Sequence, residues 1–196
     1  MNAGMSMTMR KPMSVREFLD WEERQERRFE FDGFQPVAMT GGTIVHSRIQ
    51  GNLITALNIA LRGKPCEVHG SHMKIATARG IRYPDATVLC GPVTADATVI
   101  QEPLLVFEVL SPSTSGTDRI VKVREYGATP SIRRYVILEQ TRQAATVFSW
   151  DSGQWAGIVI ADDTELALPE IDLALPLADL YRNVDFPPDE DADRAE

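Results

Sequence analysis

The chain has 196 residues and a mass of 21.8 kDa, with 43% hydrophobic and 24% charged residues, a composition typical of one globular domain with a single core. Its longest apolar run, Leu104–Leu110, is too short to cross a bilayer, and no apolar stretch follows Arg10 and Lys11 as in a secretory signal. Two cysteines cannot build a secreted disulfide scaffold. Composition therefore excludes membrane, fibrous and disulfide-scaffold proteins and predicts one cytoplasmic domain.

The net charge of −8 is concentrated at the C-terminus, where residues 185–196 hold six acidic side chains against Arg194. The rest of the chain is close to neutral. Because polyanion binding depends on cations of the protein, this charge neither favours nor excludes DNA. We predict a disordered leader over residues 1–12, a single domain over 13–182 and a disordered acidic tail over 183–196.

The first predicted elements are a helix, a hairpin and a longer helix. Ser14-Val15-Arg16-Glu17 has the form of a capping box and predicts a helix to about Glu26. Phe29–Phe34 alternates and turns at Asp32-Gly33, a typical hairpin signal. Thr43–Arg62 is the predicted principal helix, because apolar residues recur every three or four positions until Gly63. These apolar residues are Val45, Ile49, Leu53, Leu57 and Ala60/Leu61.

Most later elements are predicted strands. They are Cys66–His69, Met73–Thr77, Ile81–Leu89, Leu104–Leu110, Tyr135–Leu138, Ala145–Trp150 and Trp155–Ile160. Thr117–Tyr126 is predicted as a short helix closed by Gly127, and Leu177–Tyr181 as a final helical turn. This order predicts an α/β fold, with a central mixed β-sheet flanked by helices and an N-terminal helix and hairpin.

Two carboxylates are the first candidates for chemistry. Glu108 lies inside the apolar run Leu104–Leu110, where an ionised carboxylate needs a cation, a metal or hydrogen-bond donors unless the strand faces water. Pro84-Asp85 opens the strand that begins at Ala86, which places Asp85 near a strand end. Together Asp85 and Glu108 can bind one divalent cation through oxygen ligands.

Three further residues are weaker candidates. Lys122 is a candidate cation for this site, although Asp118 and Lys122 also have the spacing of an ordinary helix-surface pair. Glu30 lies between Phe29 and Phe31 and points to the opposite face of the strand, so it is expected to be solvated if the phenylalanines enter the core. His46 falls on the apolar face of the principal helix, as a hydrogen-bonded core residue or as a ligand.

A zinc site is the competing prediction, because one segment is rich in side chains that can bind zinc, although their spacing is not that of an ordinary zinc finger. Its candidate ligands are Cys66, His69 and His72, with Cys90 as a fourth.

Five motifs in this order resemble one protein family. They are Phe-Glu-Phe-Asp-Gly (29–33), Gly-Gly-Thr-Ile-Val-His (41–46), Tyr-Pro-Asp-Ala-Thr-Val (83–88), Phe-Glu-Val-Leu-Ser-Pro-Ser-Thr (107–114) and Asp-Arg-Ile-Val-Lys-Val-Arg-Glu-Tyr (118–126). The chain resembles the Uma-two family of restriction-endonuclease domains, a branch of the PD-(D/E)XK nuclease superfamily, over roughly residues 13–180.

The resemblance implies a restriction-endonuclease-like core that hydrolyses phosphodiesters with Mg²⁺ or Mn²⁺. It implies that Asp85, Glu108 and the Val109 carbonyl bind the metal, that Glu30 assists through a second metal or a water, and that His46 contacts phosphate or holds Glu30. The superfamily lysine would fall on position 110, which is leucine here. In the Uma-two pattern this lysine lies on the following helix, at Lys122.

The leading hypothesis is therefore a cytoplasmic, Mg²⁺-dependent DNA endonuclease in which Lys122 orients or helps to deprotonate the attacking water. The alternative is a catalytically inactive module of the same fold that binds nucleic acid or protein, and RNA or nucleotides are alternative substrates. DNA is the expected partner, a membrane is not, and a homodimer is left open.

Overall fold

The computed structural model describes residues 13–39, 41–110 and 116–186. Its helices are α1 (Val15–Glu22), α2 (Ile44–Ala60), α3 (Val123–Gly127) and α4 (Leu177–Leu180), with a π-helical turn over Thr117–Lys122 leading into α3 and a 3-10 turn over Pro169–Ile171. Its strands are β1 (Phe29–Phe31), β2 (Pro36–Ala38), β3 (Cys66–Gly70), β4 (Lys74–Ala76), β5 (Ile81–Arg82), β6 (Ala86–Cys90), β7 (Val99–Ile100), β8 (Leu105–Val109), β9 (Arg134–Leu138), β10 (Ala144–Asp151), β11 (Gln154–Ala161), β12 (Glu165–Leu168) and β13 (Leu173–Pro176).

These strands form two sheets and a ribbon. The six-stranded sheet has the order β11-β10-β9-β8-β6-β3, the five-stranded sheet has the order β2-β1-β5-β4-β7, and β12 pairs with β13. Strands β8 and β9 are parallel, as are β4 and β7, while the other neighbours are antiparallel. The parallel step from β8 to β9 requires a crossover, and that crossover carries α3. The predicted α/β fold with a central mixed sheet and flanking helices is confirmed.

Local sequence signals form the N-terminal elements as predicted. The hydroxyl oxygen of Ser14 accepts the N–H of Glu17 at 3.2 Å, and the Glu17 carboxylate accepts the N–H of Ser14 at 2.7 Å. In the hairpin, Asp32 Oδ1 accepts hydrogen bonds from the backbone N–H groups of Phe34 and Gln35. Gly33 has a φ of 88°, a left-handed conformation that favours glycine. The capping box and the hairpin turn are therefore confirmed.

The main core lies between α2 and the six-stranded sheet. The predicted apolar stripe of α2 is fully buried at Ile49, Leu53 and Leu57, where it packs with Phe107 and Val109 of β8. Val106, which precedes Phe107 in β8, belongs to a second core around Tyr126 and Tyr135. Because successive strand residues point to opposite faces, β8 is buried on both sides.

Three predictions need correction. The predicted strand Ile81–Leu89 is two strands in different sheets, because the chain leaves β5 at Tyr83-Pro84-Asp85 before entering β6. The strands β7, β12 and β13 were not predicted, since each is short. Val184 and Phe186 pack against the main core, so the packed chain extends beyond residue 182.

The remaining parts of the predicted leader and tail, residues 1–12 and 187–196, lie outside the described residues. In the part of the chain that the structure describes, no helix combines the length and apolar character needed to span a bilayer.

Candidate active site

Glu108 is a carboxylate held inside the second core. It is 5% exposed because β8 turns it to the face opposite Phe107 and Val109. Lys122 Nζ lies 2.7 Å from Glu108 Oε1, and the Tyr126 hydroxyl donates to the same oxygen at 3.1 Å. Burial and the charge of Glu108 raise the pKa of Tyr126 well above its usual value, so this phenol stays protonated and a donor. Glu108 thus faces a cation and a hydrogen-bond donor, and not bulk water.

Lys122 is placed by the crossover that follows β8. The residue is 4% exposed, so it is not the helix-surface residue that its spacing to Asp118 allows. Its ammonium group lies between two carboxylates, 2.7 Å from Glu108 Oε1 and 3.5 Å from Glu30 Oε1. A lysine reaches this position because the parallel β8–β9 connection brings the helix back over the strand end that carries Glu108.

Glu30 is also largely buried, whereas the sequence by default predicts that its side chain faces solvent. Its side chain is 12% exposed, and it accepts hydrogen bonds from Arg82 Nη1 at 3.2 Å and from the N–H of Tyr83 at 3.1 Å. Burial by itself raises the pKa of Glu30, but the charges of Lys122 and Arg82 with these hydrogen bonds outweigh it and leave the pKa lowered. Glu30 is therefore ionised at neutral pH.

A buried arginine connects Glu30 to a third carboxylate. Arg82 is 1% exposed, and its Nη2 lies 2.5 Å from Glu125 Oε2 while its Nε lies 3.2 Å from both oxygens of that carboxylate. Burial alone lowers the pKa of Arg82, but the hydrogen bonds and charge of Glu125 raise it overall. Thr77 donates its hydroxyl to Glu125 Oε1. Arg82 therefore stays charged and holds Glu30 at Oε2, whereas Lys122 lies nearest to Oε1.

Asp85 lies at the end of the β6–β8 ladder and is held from two sides. Its Oδ2 accepts the N–H of Val109 at 2.7 Å and lies 3.1 Å from His46 Nε2. The His46 ring is half-buried at the start of α2, and a Cβ at Gly42 would approach it to 3.0 Å, so the absence of a side chain there makes room for the ring. His46 is thus a partner of Asp85, whereas Glu30 is held by Lys122, Arg82 and the N–H of Tyr83.

The two carboxylate groups are neighbours on adjacent strands. Ala86 pairs with Phe107 in the antiparallel ladder, so Asp85 and Glu108 are the next positions along β6 and β8. The Val109 amide, next to Glu108, is the donor to Asp85. The structure therefore forms two contact groups, Glu30–Lys122–Glu108 and His46–Asp85, joined through the backbone of β8. Within residues 13–39, 41–110 and 116–186, no three His, Cys, Asp or Glu side chains are grouped closely enough to hold a metal.

The competing zinc site is wrong. Cys66 and Cys90 are directly opposite each other in the β3–β6 ladder and form a disulfide, with their Cα atoms 4.0 Å apart. A disulfide sulfur lacks the thiolate charge that binds zinc. His69 and His72 therefore have no cysteine ligands beside them.

Sequence reasoning missed Arg82, Glu125 and Tyr126. Glu125 and Tyr126 follow Lys122 by three and four residues, the spacing that puts side chains on one helix face, and this signal could have found them. Arg82 immediately precedes the Tyr-Pro-Asp motif but carries no local sign of burial. Its place depends on β1 and β5 pairing next to α3, which is a tertiary event.

Comparisons with known proteins agree with this architecture. The model of the Uma2 family, described as "Putative restriction endonuclease", matches residues 15–178. Uncharacterized protein slr1290 of Synechocystis sp. is 35% identical over 178 residues, covering 89% of this chain and 94% of that protein. Uncharacterized protein sll1609 of the same organism is 28% identical over 135 residues, covering 66% of this chain and 76% of that protein.

A solved structure shares the fold. The crystal structure described as "a putative nuclease belonging to DUF820" from Anabaena variabilis superposes with a TM-score of 0.70 at 18% identity, covering 87% of this chain and 98% of that chain. At this identity the likeness concerns the fold alone. The resemblance read from the five sequence motifs is confirmed by the family match.

Proposed function

Because the chain belongs to the Uma2 family of restriction-endonuclease-like proteins, we propose that it is a nuclease that hydrolyses DNA phosphodiester bonds with a divalent metal, Mg²⁺ or Mn²⁺. The proposal assigns metal binding to Asp85, Glu108, Glu30 and the Val109 carbonyl, and the catalytic cation to Lys122. His46 completes the site as the partner of Asp85.

One observation carries the proposal: the buried contact of 2.7 Å between Lys122 Nζ and Glu108 Oε1. Burying a lysine and a glutamate costs several kcal/mol per ion, and a hydrophobic pair of similar volume is often as stable. Such a pair therefore favours a chemical function over a structural one. It also supplies the carboxylate and the amine that the resemblance assigns to the site, with the lysine on the helix after β8.

The donor set fits a hard dication. Asp85, Glu108 and Glu30 offer carboxylate oxygens, which Mg²⁺ prefers, and Mg²⁺ is usually bound by one or two carboxylates plus substrate phosphates and water. The contacts of the Asp85 carboxylate with the Val109 N–H and with His46 are both made by Oδ2. Its other oxygen, Oδ1, takes part in neither of these contacts. When bound, the metal would polarise the scissile phosphate and lower the pKa of a water molecule.

The protein's own groups would prepare the reaction. Lys122, held by Glu108 and Glu30, would present a fixed positive charge to the phosphate and orient the attacking water. The protonated Tyr126 hydroxyl fixes the Glu108 oxygen that Lys122 contacts. His46 and the Val109 amide orient the Asp85 carboxylate. The charges of Lys122 and Arg82 keep the pKa of Glu30 lowered, so it is ionised at neutral pH.

The location and substrate are also part of the proposal. In the cytoplasm the protein would meet DNA directly. RNA and nucleotide phosphodiesters offer the same electrophile as DNA, so each is a separate arm of the test.

The test measures nicking of supercoiled plasmid by purified protein with Mg²⁺, Mn²⁺ or EDTA. We expect metal-dependent nicking that falls at least about a hundredfold in Asp85→Asn, Glu108→Gln and Lys122→Met, since each removes a group that acts in the transition state. Glu165→Gln, which changes an exposed carboxylate on β12, is the matched control and should cleave normally. Equal nicking by all variants would identify a contaminating nuclease and refute the proposal.

A specific observation favours the inactive module as second candidate. Glu108 already contacts Lys122 and Tyr126, and the described residues include no cluster of three metal-binding side chains. A metal that binds only the native state raises its melting temperature with concentration. A rise with Mn²⁺ that Asp85→Asn abolishes, without cleavage of DNA, RNA or a small phosphodiester, would support the inactive module over the nuclease.

A further inference from the structure

The strand β11 forms an unprotected edge of the six-stranded sheet. It pairs with β10 on one side, and no other described strand pairs with it. Its eight residues, Gln154–Ala161, include no charged residue and no proline. Ile158 and Val159, neighbours that point to opposite faces, are 63% and 64% exposed. A long, apolar edge of this kind is a template for pairing with another strand.

The other sheet edges carry features that discourage such pairing. The edge strand β3, at the far side of the same sheet, includes the exposed Glu67. In the five-stranded sheet, β2 contains Pro36 and β7 has only two residues. Charge, proline and short length are the usual means of blocking edge pairing. Among the described edges, β11 is the one that uses none of them.

The β10–β11 hairpin determines which backbone groups of β11 face outward. Its turn has two residues, Ser152 and Gly153, with φ values of 48° and 81°, and the closing pair is Asp151 with Gln154. In a two-residue hairpin the closing pair exchanges hydrogen bonds, and hydrogen-bonded pairs then alternate along the ladder. The outward N–H and C=O groups therefore belong to the alternate residues Trp155, Gly157, Val159 and Ala161.

This edge is complementary to a copy of itself. We propose that two copies of the chain pair antiparallel through β11, about a two-fold axis at Ile158. In that register the outward backbone groups of Trp155 meet those of Ala161 in the second copy, and those of Gly157 meet those of Val159. Each such pair exchanges backbone hydrogen bonds, and Ile158 faces Ile158 in a pair without them, where side chains come closest.

Side-chain sizes match in the same register. The larger Trp155 faces Ala161, Ile160 faces Ala156, and Val159 faces Gly157 of the second copy. Gly157 has no room for a side chain of its own, because an added Cβ would lie 2.5 Å from the Phe148 ring. Large residues thus lie opposite small ones along the strand, and cross-strand pairs of this kind stabilise antiparallel sheets.

Charge also favours a second copy as the occupant. The chain carries −8 overall, so two copies repel each other on average, whereas pairing through the uncharged β11 brings no like charges of that strand together. Asp162, just beyond the strand, would face the neutral Gln154 of the second copy and not another acid. A two-fold interface uses the same patch on both chains and closes after two copies. The expected assembly is a dimer with one continuous sheet, and this inference does not depend on nuclease activity.

The test uses sedimentation equilibrium and light scattering on the full chain. We expect a mass of about twice 21.8 kDa for the wild type. Ile158→Lys and Ile158→Glu should each give monomers, since like charges would face each other across the axis. Mixing the two variants in equal amounts should restore the dimer, because lysine then faces glutamate. The matched control is Ile59→Lys, an equally exposed residue on α2, which should leave the dimer intact.

Several results would overturn this proposal. A monomeric wild type at concentrations up to about 100 μM would show that β11 does not bind a second copy at the micromolar strength expected of a modest interface. A dimer that survives Ile158→Lys would use another surface. Variants that stay monomeric when mixed, although each is folded by circular dichroism, would refute the register about Ile158.

Discussion

The two faces of β8 differ in a way that separates folding from chemistry. On one face, Leu105, Phe107 and Val109 pack against α2 in a core of apolar side chains. On the other face, Val106 is apolar, but Glu108 meets Lys122 and Tyr126. One short strand thus takes part in a purely apolar interface and in a buried ion pair.

The comparison shows which face stabilises the fold. Burial of apolar surface contributes about 25 cal/mol per Å², whereas the attraction within a buried ion pair is largely cancelled by the cost of removing both ions from water. The α2 face therefore holds the sheet and helix together. The other face has little to gain in stability from Glu108 and Lys122, and we attribute their presence to the proposed reaction.

The largest expected effect comes from breaking the ion pair. Lys122→Met leaves Glu108 buried without its cation and should lower the free energy of unfolding by about 3–5 kcal/mol, measured by urea denaturation at pH 7. Adding Glu108→Leu should restore most of the lost stability, because the Glu108 charge that had lost its cation is then removed, while DNA cleavage stays absent. If the double variant is less stable than Lys122→Met alone, the pair is structural and the comparison fails.

Removing a large side chain from the apolar face should have a somewhat smaller effect. Leu53→Ala empties a fully buried position of α2 and should lower the free energy of unfolding by about 2–5 kcal/mol. Cleavage at a temperature where the variant stays folded should be unchanged. Ile59→Ala, at an exposed position of the same helix, should change stability by less than about 0.5 kcal/mol. Loss of cleavage in folded Leu53→Ala would contradict the division between the two faces.

The smallest expected effect is the pH dependence contributed by Glu30. Its pKa is lowered in the folded protein relative to the ordinary value of 4.5, so its charged form adds stability above that pH, and the contribution is lost as the pH falls through the folded pKa. The stability difference between wild type and Glu30→Gln should therefore shrink below about pH 4.5. Urea denaturation between pH 3 and pH 7 measures it. A difference that grows at low pH would mean that Glu30 is not held by Lys122 and Arg82.

Several elements could be predicted because their signals are local. Three of them depend only on residues that are close in sequence: the capping box at Ser14, the Asp32-Gly33 turn and the apolar stripe of α2. The break at Tyr83-Pro84-Asp85 was harder, because its neighbours on both sides have strand-like composition. Only pairing shows that β5 and β6 belong to different sheets. The edge β11 was predicted as a strand, but its outer position in the sheet was not.

The candidate site was predicted in part. Glu108 stood out as a charge in an apolar run, and its burial beside a cation or donor is what the structure shows. For Lys122 the sequence allowed either a helix-surface pair with Asp118 or the cation of the candidate site. The residue is buried, so it does not lie on the helix surface. Glu30 was expected to be solvated unless it joined the site, and Arg82 was missed, since the contact between them requires β1 and β5 to pair. The assignment of Asp85, Glu108 and Glu30 as metal ligands stays a prediction.

The sequence by itself determined the helices, most strands, the α/β class and the family, because hydrophobic period, caps, turns and ordered motifs are properties of neighbouring residues. Only the tertiary structure decided which charges meet. Glu30, Arg82, Glu108, Lys122 and Glu125 come from four separate segments, and their contacts depend on strand order and on the crossover after β8. The cost of burying a charge depends on the partners that the fold brings within a few ångströms, and no local pattern records them.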